Sequence, residues 1–384
     1  MRIGVNLRYL QKNITGVERA TLELLKVLTR LPGDHSFIGY ITDRPFVSDQ
    51  TYRDLLSCPR LELRQAHLWH EDILSRLLWD LFGVGQHAKR DNVDLFWGPS
   101  FSLPFFLPCP GVVTIYDVAF LHLPLSYDRI TRWFHQIVTP SSARRAQAIL
   151  TISECSKNDI QTHMAVPEKR IHVIQLACSQ QFRPTPQTGR EQADVLQKYG
   201  IRSPFWLTVS QISPRKNLSH LVRVYASLLR ERRVSQQLVL VGKNGWLFED
   251  VYAVVRDEGV ENDVVFTKAV SDPDLVVLYN AAELFLYPSL YEGFGLPVLE
   301  AMSCGVPVIT SNTSSLPEVI GDAGVMLPPT DIQAWVDAIC ELSSNPESRE
   351  ILRKHGSKRA EQFNWERSAQ SMLEIFRKVT LDGQ

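Results

Sequence analysis

Short apolar runs alternate along this chain with segments whose apolar positions recur at helical spacing. In the first half, the runs with the composition of buried β-strands are Arg2–Leu7, Phe37–Ile41, Leu95–Trp97, Val112–Ile115, Ala148–Ile152 and His172–Leu176. In the second half they are Trp206–Val209, Gln237–Val241, Val264–Phe266, Leu284–Tyr287 and Val306–Ile309. Strands that alternate with helices are typical of a parallel sheet covered by helices, so we predict the α/β class.

Helical patterns lie between these predicted strands. They are Val17 to about Thr29, Leu218–Leu229, Trp246–Glu258, Asp272–Ala282 and Leu296–Ser303. The stretch Pro184–Arg190 has the proline and glycine content of a linker. We therefore predict two domains, residues 1–190 and 191–364, and a C-terminal segment, residues 365–384. The apolar stripe within Trp365–Lys378 predicts an amphipathic helix in that last segment.

Composition narrows the class of protein. The 384 residues, of which 44% are hydrophobic, suffice for two or three domains with their own cores. The formal net charge of −1 gives no general reason to expect a nucleic-acid partner. The chain begins as a first strand and not as a signal peptide, and no apolar run approaches the roughly 20 residues that cross a bilayer. We therefore expect a cytoplasmic protein.

The cysteines give no sign of a metal site or a disulfide framework. All 6 are scattered, without a Cys-x-x-Cys pair or a Cys/His spacing suited to zinc. They are typical of reduced, mostly buried thiols. We identify no acidic metal-binding motif such as Asp-x-Asp, so we expect no metal.

The segment Tyr291–Glu300 combines residues that suit a ligand with a phosphate group. Its sequence is Tyr-Glu-Gly-Phe-Gly-Leu-Pro-Val-Leu-Glu, directly after a predicted strand. Pro297 suits a first helical position, so we predict that a helix begins near Leu296–Pro297. Glycines let the backbone approach a ligand, and the open amides of a helix start favour an anion. The alternative is a tight turn with a solvated Glu292.

This segment, together with the Gly-x-Pro and the strand that follow it, resembles the E-x7-E region of retaining, nucleotide-sugar-dependent glycosyltransferases of the group 1 (family 4) type. The resemblance covers nearly the whole chain and is strongest over Phe205–Trp365. It implies the GT-B architecture: two Rossmann-like domains around a cleft, with the last helix crossing back onto the N-terminal domain. In that family the N-terminal domain binds the acceptor and the C-terminal domain binds the nucleotide sugar.

The resemblance also assigns roles to the residues of the motif. The first glutamate, here Glu292, lies over the donor sugar in that family, and the second, here Glu300, binds the ribose hydroxyls. Around them, the residues placed at the donor are Gly293, Phe294, Gly295 and Leu296. The reaction implied is sugar transfer with retention at the anomeric carbon.

A second candidate site follows the predicted strand Trp206–Val209. Its sequence Ser-Pro-Arg-Lys-Asn puts Arg215, Lys216 and open amides between a strand and a helix, which suits a diphosphate. By resemblance, Lys216 is the lysine that holds the donor phosphates. The family often has an arginine five or six residues earlier, where this chain has Gln211 and Ser210. Either Arg215 helps to neutralise the donor phosphates, or their neutralisation depends on Lys216 and the helix amides. The alternative is that Arg215 and Lys216 are solvated surface charges.

Two further candidates lie at the ends of other predicted strands of the second half. Lys243 follows Gln237–Val241, and ligands of open α/β sheets bind outside the carboxyl ends of strands. By resemblance, the loop around Val270 lies against the nucleobase.

The first half offers three candidates. By resemblance, Gly16 lets the backbone approach the donor, although a simple helix start also explains it. The family often has His-Asp at the end of the strand Val112–Ile115, whereas here Tyr116 replaces the histidine and Asp117 remains. The hydroxyl of Tyr116 can hydrogen-bond a sugar but is a poor base at neutral pH. A tyrosine that fills the cleft is an equal alternative.

The sequence around Lys216 and around Lys243 most resembles that of bacterial polysaccharide mannosyltransferases, which favours GDP-mannose as donor. The acceptor would be a sugar or a lipid-linked glycan, and we expect no cofactor beyond the donor substrate. One alternative is an epimerase or hydrolase of the same fold, which would turn over the donor without acceptor. Another is a catalytically silent nucleotide-sugar-binding subunit, which would bind without turnover.

Basic and aromatic residues share one segment of the first half. They are Arg129, Arg132, Trp133, Arg144 and Arg145, and an apolar region also spans Trp69–Phe82. This combination admits peripheral docking at the inner membrane face. The ordinary explanation is helices that pack on a sheet.

Overall fold

The computed structural model describes residues 1–11, 16–42, 49–66, 73–186, 189–231 and 234–382. It divides the chain into two compact units. The N-terminal unit contains Met1–Leu121, Arg129–Leu176 and Asn364–Gln384, and the C-terminal unit contains His122–Asp128 and Ala177–Phe363. The chain passes between the units at residues 121–122, 128–129, 176–177 and 363–364. The functional domain boundary after residue 190 stays a prediction. Within the predicted linker, residues 187–188 lie outside the described residues.

The described part of the N-terminal unit is built on a parallel sheet of seven strands. The strands are β1 (Arg2–Asn6), β2 (Ser36–Thr42), β3 (Leu61–Ala66), β4 (Leu95–Gly98), β5 (Gly111–Thr114), β6 (Ala148–Thr151) and β7 (Ile171–Val173). Their order is β3-β2-β1-β4-β5-β6-β7. Every pairing is parallel, as the sequence pattern predicted.

The C-terminal unit repeats this plan with six strands among its described residues. They are β8 (Phe205–Val209), β9 (Gln237–Val241), β10 (Val264–Lys268), β11 (Leu284–Tyr287), β12 (Val308–Ser311) and β13 (Val325–Leu327). Their order is β10-β9-β8-β11-β12-β13, again with parallel pairing. In both units the first strand lies inside the sheet and the order reverses beside it, which is the Rossmann arrangement.

Helices connect the strands. Up to β7 they are α1 (Gly16–Leu28), α2 (Asp49–Leu56), α3 (Ile73–Leu78), α4 (Val84–Arg90), α5 (Ala119–His122), α6 (Arg129–Arg145) and α7 (Glu154–Met164). After β7 they are α8 (Gly189–Tyr199), α9 (Leu218–Arg230), α10 (Glu249–Asp257), α11 (Asp272–Ala281), α12 (Leu296–Ser303), α13 (Leu316–Ile320), α14 (Ile332–Ser344), α15 (Pro346–Ala360) and α16 (Trp365–Asp382). A π-helical turn, Trp79–Gly83, joins α3 to α4.

Every strand predicted from the sequence overlaps a strand of the structure. Two edge strands, β3 and β13, were not predicted. The first has the sequence Leu-Glu-Leu-Arg-Gln-Ala, and the second is only 3 residues long. An edge strand with charged side chains, or a very short one, lacks the apolar run by which inner strands are found.

The C-terminal helix α16 belongs to the N-terminal unit, as the resemblance implied. Of its predicted apolar stripe, Ala369, Met372 and Phe376 are fully buried, whereas Ile375 is only half-buried. The helix packs on α1, and the ring of Phe376 lies 6.0 Å from that of Trp97 in β4. The end of the chain thus completes the core of the unit in which the chain begins.

Two further predictions concern the whole chain. None of the six cysteines, all of which are among the described residues, forms a disulfide. Within the described ranges, no helix combines the length and apolarity that crossing a membrane requires.

Candidate active site

The best-supported site lies where the strand order of the C-terminal sheet reverses. β8 pairs with β11, while β9 and β10 continue on one side and β12 and β13 on the other. Such a reversal opens a crevice at the carboxyl ends of the two central strands. The segments after these strands meet there, because the amide of Leu290 donates to the carbonyl of Arg215 at 2.9 Å. The structure therefore brings the two candidate motifs of this half together.

Glu292 is the centre of this site. Its carboxylate accepts hydrogen bonds from Lys216 Nζ, from Arg215 Nη1 at 2.9 Å and from Tyr287 Oη at 3.0 Å. The hydroxyl of Ser289 donates to it as well. Glu292 and Lys216 are only 6% and 8% exposed. We call Glu292, Lys216 and Arg215 the Glu292 cluster; the solvated turn weighed from the sequence is wrong for this residue.

The ionisation of Glu292 follows from its neighbours. Burial by itself raises the pKa of a carboxyl group, but the charges of Arg215 and Lys216 and the donated hydrogen bonds outweigh burial and lower the pKa from 4.5 to about 2. Burial, then the negative charge of Glu292, raises the pKa of Tyr287 well above its ordinary value. Glu292 is therefore a carboxylate at neutral pH, and Tyr287 is a hydroxyl donor.

The loop that carries Glu292 is fixed from behind by two serines. The hydroxyl of Ser315 donates to the carbonyls of Glu292 and Phe294, each at 2.9 Å. The amide of Glu292 donates to Ser314 Oγ at 2.8 Å. These bonds satisfy backbone groups that would otherwise be buried without partners, and they set the direction of the carboxylate.

The helix after the loop starts where the sequence predicted. α12 begins at Leu296, with Pro297 in its first turn. Gly295 precedes it with φ of +113°, and a Cβ there would lie 2.9 Å from Leu316 Cδ2. The conformation thus requires glycine at this position. Gly293 and Phe294 are buried in the same loop.

Glu300 lies inside α12, about one turn from the helix start. It is 8% exposed and accepts a hydrogen bond from Tyr279 Oη at 2.9 Å. Burial, then the charge of Glu300, raises the pKa of Tyr279 well above its ordinary value, so that this hydroxyl remains a donor. The two glutamates of the motif therefore have separate tyrosine partners.

The remaining candidates of this half lie at the ends of the neighbouring strands. Lys243 is exposed and follows β9, and its carbonyl accepts from the amide of Ile212 at 2.9 Å. Gly242 has φ of +151°, and a Cβ there would lie 1.8 Å from the carbonyl oxygen of Ser210. Val270 is half-buried in the loop between β10 and α11. Their roles toward a donor stay predictions.

The expectation that the chain has no Asp-x-Asp motif is wrong. The sequence contains Asp272-Pro273-Asp274, in the first turn of α11. The carboxylate of Asp274 accepts from Lys198 Nζ at 2.6 Å and from Tyr199 Oη at 2.8 Å. Although burial works against the ionised form, these hydrogen bonds lower the pKa of Asp274. This carboxylate is thus engaged in the attachment of α8 to α11.

The N-terminal unit uses Tyr116 in its own packing. The residue is 4% exposed, and its hydroxyl lies 3.1 Å from Thr21 Oγ1 and 3.4 Å from the carbonyl of Val17, both in α1. Burial raises the pKa of this hydroxyl above its ordinary value. Both contacts are with α1 of the same unit; contact with a sugar stays a prediction.

Asp117 and Gly16 lie at helix starts. Asp117 Oδ1 accepts from the amide of Ala119 at 2.9 Å, at the beginning of α5. Gly16 is the first residue of α1, and the residue before it lies outside the described part of the chain. Both positions have an ordinary structural explanation, and their roles toward substrate stay predictions.

Sequence reasoning missed the residues that hold the Glu292 cluster in place. Tyr287 was read only as the end of an apolar strand, and Ser289, Ser314 and Ser315 were not considered. The sequence offers one signal for them: Thr, Ser and Ser follow one another at positions 313–315, after a buried strand. Hydroxyl side chains in such a run often form hydrogen bonds to the backbone of a loop.

Comparison with known proteins identifies both halves of the chain. Residues 192–359 match the family described as "Glycosyl transferases group 1", and residues 14–178 match "Glycosyltransferase Family 4". The chain is 36% identical over 380 residues to the "O-antigen chain mannosyltransferase B" of Escherichia coli, covering 95% of this chain and 96% of that one. It is 30% identical over 282 residues to the "MMP alpha-(1->4)-mannosyltransferase" of Mycolicibacterium hassiacum, covering 68% and 65%.

Solved structures share the fold. The sucrose-phosphate synthase of Thermosynechococcus elongatus matches with a TM-score of 0.76 at 18% identity, covering 100% of both chains. WaaG, described as a glycosyltransferase involved in lipopolysaccharide biosynthesis, matches with a TM-score of 0.73 at 18% identity, covering 97% of this chain and 99% of that one. These likenesses confirm the predicted GT-B fold.

Proposed function

Because this chain belongs to the group 1 glycosyltransferases, we propose that it transfers mannose from GDP-mannose to a hydroxyl of a glycan acceptor, with retention at the anomeric carbon. The choice of mannose is supported by the names of the relatives that match along most of this chain. The E. coli relative's name also supports a role in the assembly of a bacterial polysaccharide.

The observation that carries this proposal is the charge of the Glu292 cluster. One carboxylate lies between two cations, so the cluster as a whole is positive by one charge. It lies at the reversal of strand order, where α/β sheets bind their ligands. A positive, largely buried site suits the diphosphate of a nucleotide sugar better than a neutral metabolite.

The same geometry gives each residue a task. Glu292, ionised at neutral pH, orients the donor sugar and stabilises positive charge that develops at its ring as the glycosidic bond lengthens. Lys216, Arg215 and the amides near Gly293–Gly295 stabilise the leaving diphosphate. In front-face transfer, the acceptor oxygen bonds to the anomeric carbon, the bond to the diphosphate breaks, and a diphosphate oxygen takes the acceptor proton. Glu300 binds the ribose hydroxyls.

We propose that this transfer needs neither a cofactor nor a metal, since the cluster already supplies two cations for the diphosphate. Activity should survive excess chelator. Complete loss on chelation, restored by magnesium or manganese, would contradict the proposal.

We propose further that the protein contacts the inner membrane face through α6, where a lipid-linked acceptor would be found. Ile130, Trp133 and Ile137 follow one another at helical spacing and are 58%, 56% and 50% exposed. The exposed Arg129 adds positive charge beside them, which suits anionic lipid. Replacing Ile137 by Ser should weaken sedimentation with anionic vesicles, whereas Ile351→Ser, at an equally exposed position of α15, should not.

The direct test is turnover of a panel of nucleoside diphosphate sugars, with and without a mannose oligosaccharide. We expect transfer from GDP-mannose in preference to the others, and an α-linked product by NMR. Donor loss that is independent of acceptor would favour the hydrolase or epimerase alternative. Binding without turnover of any donor would favour the silent subunit.

A further inference from the structure

The two oxygens of the Glu292 carboxylate have unequal surroundings. Oε1 accepts hydrogen bonds from Lys216 Nζ, from Tyr287 Oη at 3.0 Å and from Ser289 Oγ. Oε2 accepts from Arg215 Nη1 at 2.9 Å. The side chain of Arg215 is 22% exposed, whereas that of Lys216 is 10% exposed. Oε1 is therefore held from inside the protein, and Oε2 lies beside the cation that solvent reaches more easily.

The hydroxyls of Tyr287 and Ser289, which we call the hydroxyl pair, belong to deeply buried side chains. Tyr287 is 1% exposed and Ser289 is 0% exposed. Tyr287 Oη also accepts from Lys216 Nζ at 2.8 Å, and this ammonium lies 5.2 Å from the centre of the tyrosine ring. An ammonium donates and cannot accept, so the hydroxyl proton of Tyr287 is directed to Glu292. Tyr287 thus links Lys216 to Glu292 without carrying a charge itself.

The backbone that carries the hydroxyl pair is fixed by other side chains. Three consecutive carbonyls each accept a hydrogen bond from a side chain of another segment: Tyr287 from Thr310 Oγ1 at 3.0 Å, Pro288 from Asn217 Nδ2 at 3.2 Å, and Ser289 from Thr313 Oγ1 at 3.2 Å. A backbone bonded in this way cannot shift without leaving buried polar groups unpaired. The hydroxyl pair is therefore fixed in place, whereas the two cations lie at the ends of long side chains with many rotamers.

Binding of a diphosphate changes the partners of Glu292. Under the proposed function, Lys216 and Arg215 stabilise the diphosphate, but in this structure the same two cations bond to Glu292. A diphosphate carries more negative charge than one carboxylate, so it competes with Glu292 for both cations. A buried carboxylate that kept no donor would be strongly destabilised. The hydroxyl pair is not drawn away in the same manner, because it is uncharged and its backbone is fixed.

We propose that Tyr287 and Ser289 are positioning residues for sugar transfer: they hold Oε1 of Glu292 while the cations turn to the diphosphate, so that Oε2 stays directed at the donor sugar. This inference rests on the proposed function and deepens it, since it names the oxygen of Glu292 that acts and the groups that aim it. Oε2 then stabilises the positive charge that develops at the sugar ring as the bond to the diphosphate breaks. Both hydroxyls keep their protons throughout.

The first test removes each hydroxyl and keeps the rest of its side chain. Tyr287→Phe and Ser289→Ala should each lower kcat for transfer from GDP-mannose to a mannose oligosaccharide by roughly 10- to 100-fold, since a small misplacement at a reacting centre has effects of that size. Affinity for free GDP, measured by calorimetry, should not fall, because neither hydroxyl is assigned to the nucleotide.

Tyr225→Phe is the matched control. Tyr225 is a buried tyrosine of the same unit, and its hydroxyl donates to the carbonyl of Gln236 at 2.7 Å, outside the Glu292 cluster. The control variant loses a buried hydrogen bond as Tyr287→Phe does, so it should also lower the free energy of unfolding. Its kcat should equal that of the wild type.

The pH dependence of kcat separates positioning from packing. Both hydroxyls donate to the ionised carboxylate, so the loss of either raises the pKa of Glu292 from its value of about 2. Arg215 and Lys216, the charged groups that face Glu292, stay in both variants. Because transfer needs the ionised form, the acid limb of the kcat profile should lie at higher pH in Tyr287→Phe and Ser289→Ala than in the wild type and the control.

A further variant decides the question if Tyr287→Phe does not fold. Ser289→Cys fills the place of the hydroxyl with a thiol, which donates only weakly. It should lower kcat as Ser289→Ala does. Unchanged kcat in folded variants of both residues would overturn the inference. So would an equal fall of kcat in Tyr225→Phe, or a fall that is matched by an equal loss of GDP affinity.

Failure of the inference and failure of the proposed function are distinguishable. If the wild type transfers mannose and the variants transfer it equally fast, the hydroxyl pair only supports the fold, and the proposed function stands. If the wild type hydrolyses or epimerises the donor without transfer, and both variants slow that turnover, the proposed function is wrong, while the positioning of Glu292 holds for the reaction found. If the wild type turns over no donor, both are overturned.

Discussion

The Glu292 cluster and a second cluster, formed by Asp80, Arg8 and Asn6 of the N-terminal unit and called the Asp80 cluster, are built alike and charged differently. Each lies at the carboxyl edge of a parallel sheet, and each has a buried carboxylate that accepts hydrogen bonds from a guanidinium. In the C-terminal unit a second cation, Lys216, leaves an excess of one positive charge. In the N-terminal unit Asp80 and Arg8 balance each other. The same scaffold thus surrounds a buried carboxylate with two cations in one unit and with one guanidinium in the other.

The comparison teaches that the shared fold does not fix the charge around the buried carboxylate. Both sheets have the Rossmann strand order, so topology gives both units a binding edge. The side chains that follow the first strand of each sheet then differ. In the C-terminal unit they include Arg215 and Lys216, and among the described residues directly after β1 they include Arg8.

The largest expected effect is on turnover in Glu292→Gln. The change removes the negative charge that we propose stabilises the transition state, so we expect turnover to fall by roughly 100- to 1,000-fold. Affinity for free GDP should stay equal or rise, because Lys216 and Arg215 lose their carboxylate partner. Steady-state kinetics and calorimetry measure the two quantities. A loss of GDP affinity without loss of turnover would reverse the assignment.

Acid should destabilise the Glu292 cluster in a defined pH window. The pKa of Glu292 is lowered from 4.5 to about 2, so its ionised form stabilises the fold above pH 4.5, and this contribution disappears as the pH falls toward 2. The full loss is about 3 kcal/mol at 1.4 kcal/mol per pKa unit. Urea unfolding at pH 6, 4.5 and 3 should show the wild type approaching Glu292→Gln in stability. If the difference in the free energy of unfolding between the wild type and Glu292→Gln did not change with pH, a lowered pKa of Glu292 would be contradicted.

Lys216→Ala tests whether excess positive charge holds the diphosphate. We expect GDP affinity to weaken by roughly 1.5–3 kcal/mol, the range for hydrogen bonds to charged groups. Lys198→Ala is the control, because that lysine forms an exposed ion pair with Asp274 on the same unit. Calorimetry with GDP decides. Equal affinities in the wild type and Lys216→Ala would move the phosphate site elsewhere.

Glu300→Gln should have a smaller effect. The change replaces the carboxylate by an amide of the same shape. It removes the negative charge that we propose faces the ribose hydroxyls, so GDP affinity should fall by about 1 kcal/mol. Tyr279→Phe removes the hydroxyl that bonds to Glu300 and should weaken GDP binding in the same direction. If both variants bind GDP normally, the ribose is held by other residues.

The smallest effect separates the two clusters by salt. Screening weakens attraction between an anion and a positive site, so GDP affinity should fall by about several-fold between 0.05 and 0.5 M sodium chloride. Binding of a mannose oligosaccharide, which is neutral, should hardly change over that range. If the affinities for both ligands fell equally with salt, the inference that GDP is attracted by excess positive charge would be contradicted.

The sequence determined most of the strands and helices and the motif that contains Glu292. Inner strands have apolar runs because both faces of a parallel sheet are covered, so β1 and β8 could be recognised locally. The Glu292 motif could be recognised because Glu292, Gly295 and Pro297 lie within a few residues, and local turn chemistry fixes their arrangement. Even here the sequence did not reveal that Lys216 and Arg215 bond to Glu292, since that contact joins loops after two strands distant in the chain.

Only the tertiary structure assembled the Asp80 cluster. Asn6 ends β1 and Arg8 follows it, whereas Asp80 lies on a π-helical turn more than seventy positions later. Phe101 and Phe134 come from two further segments. No local spacing relates these residues, and each by itself is typical of a surface charge or a core aromatic. Parallel sheets bring the carboxyl ends of sequence-distant strands to one edge, so a site made there from single residues leaves no motif, whereas a site made on one loop does.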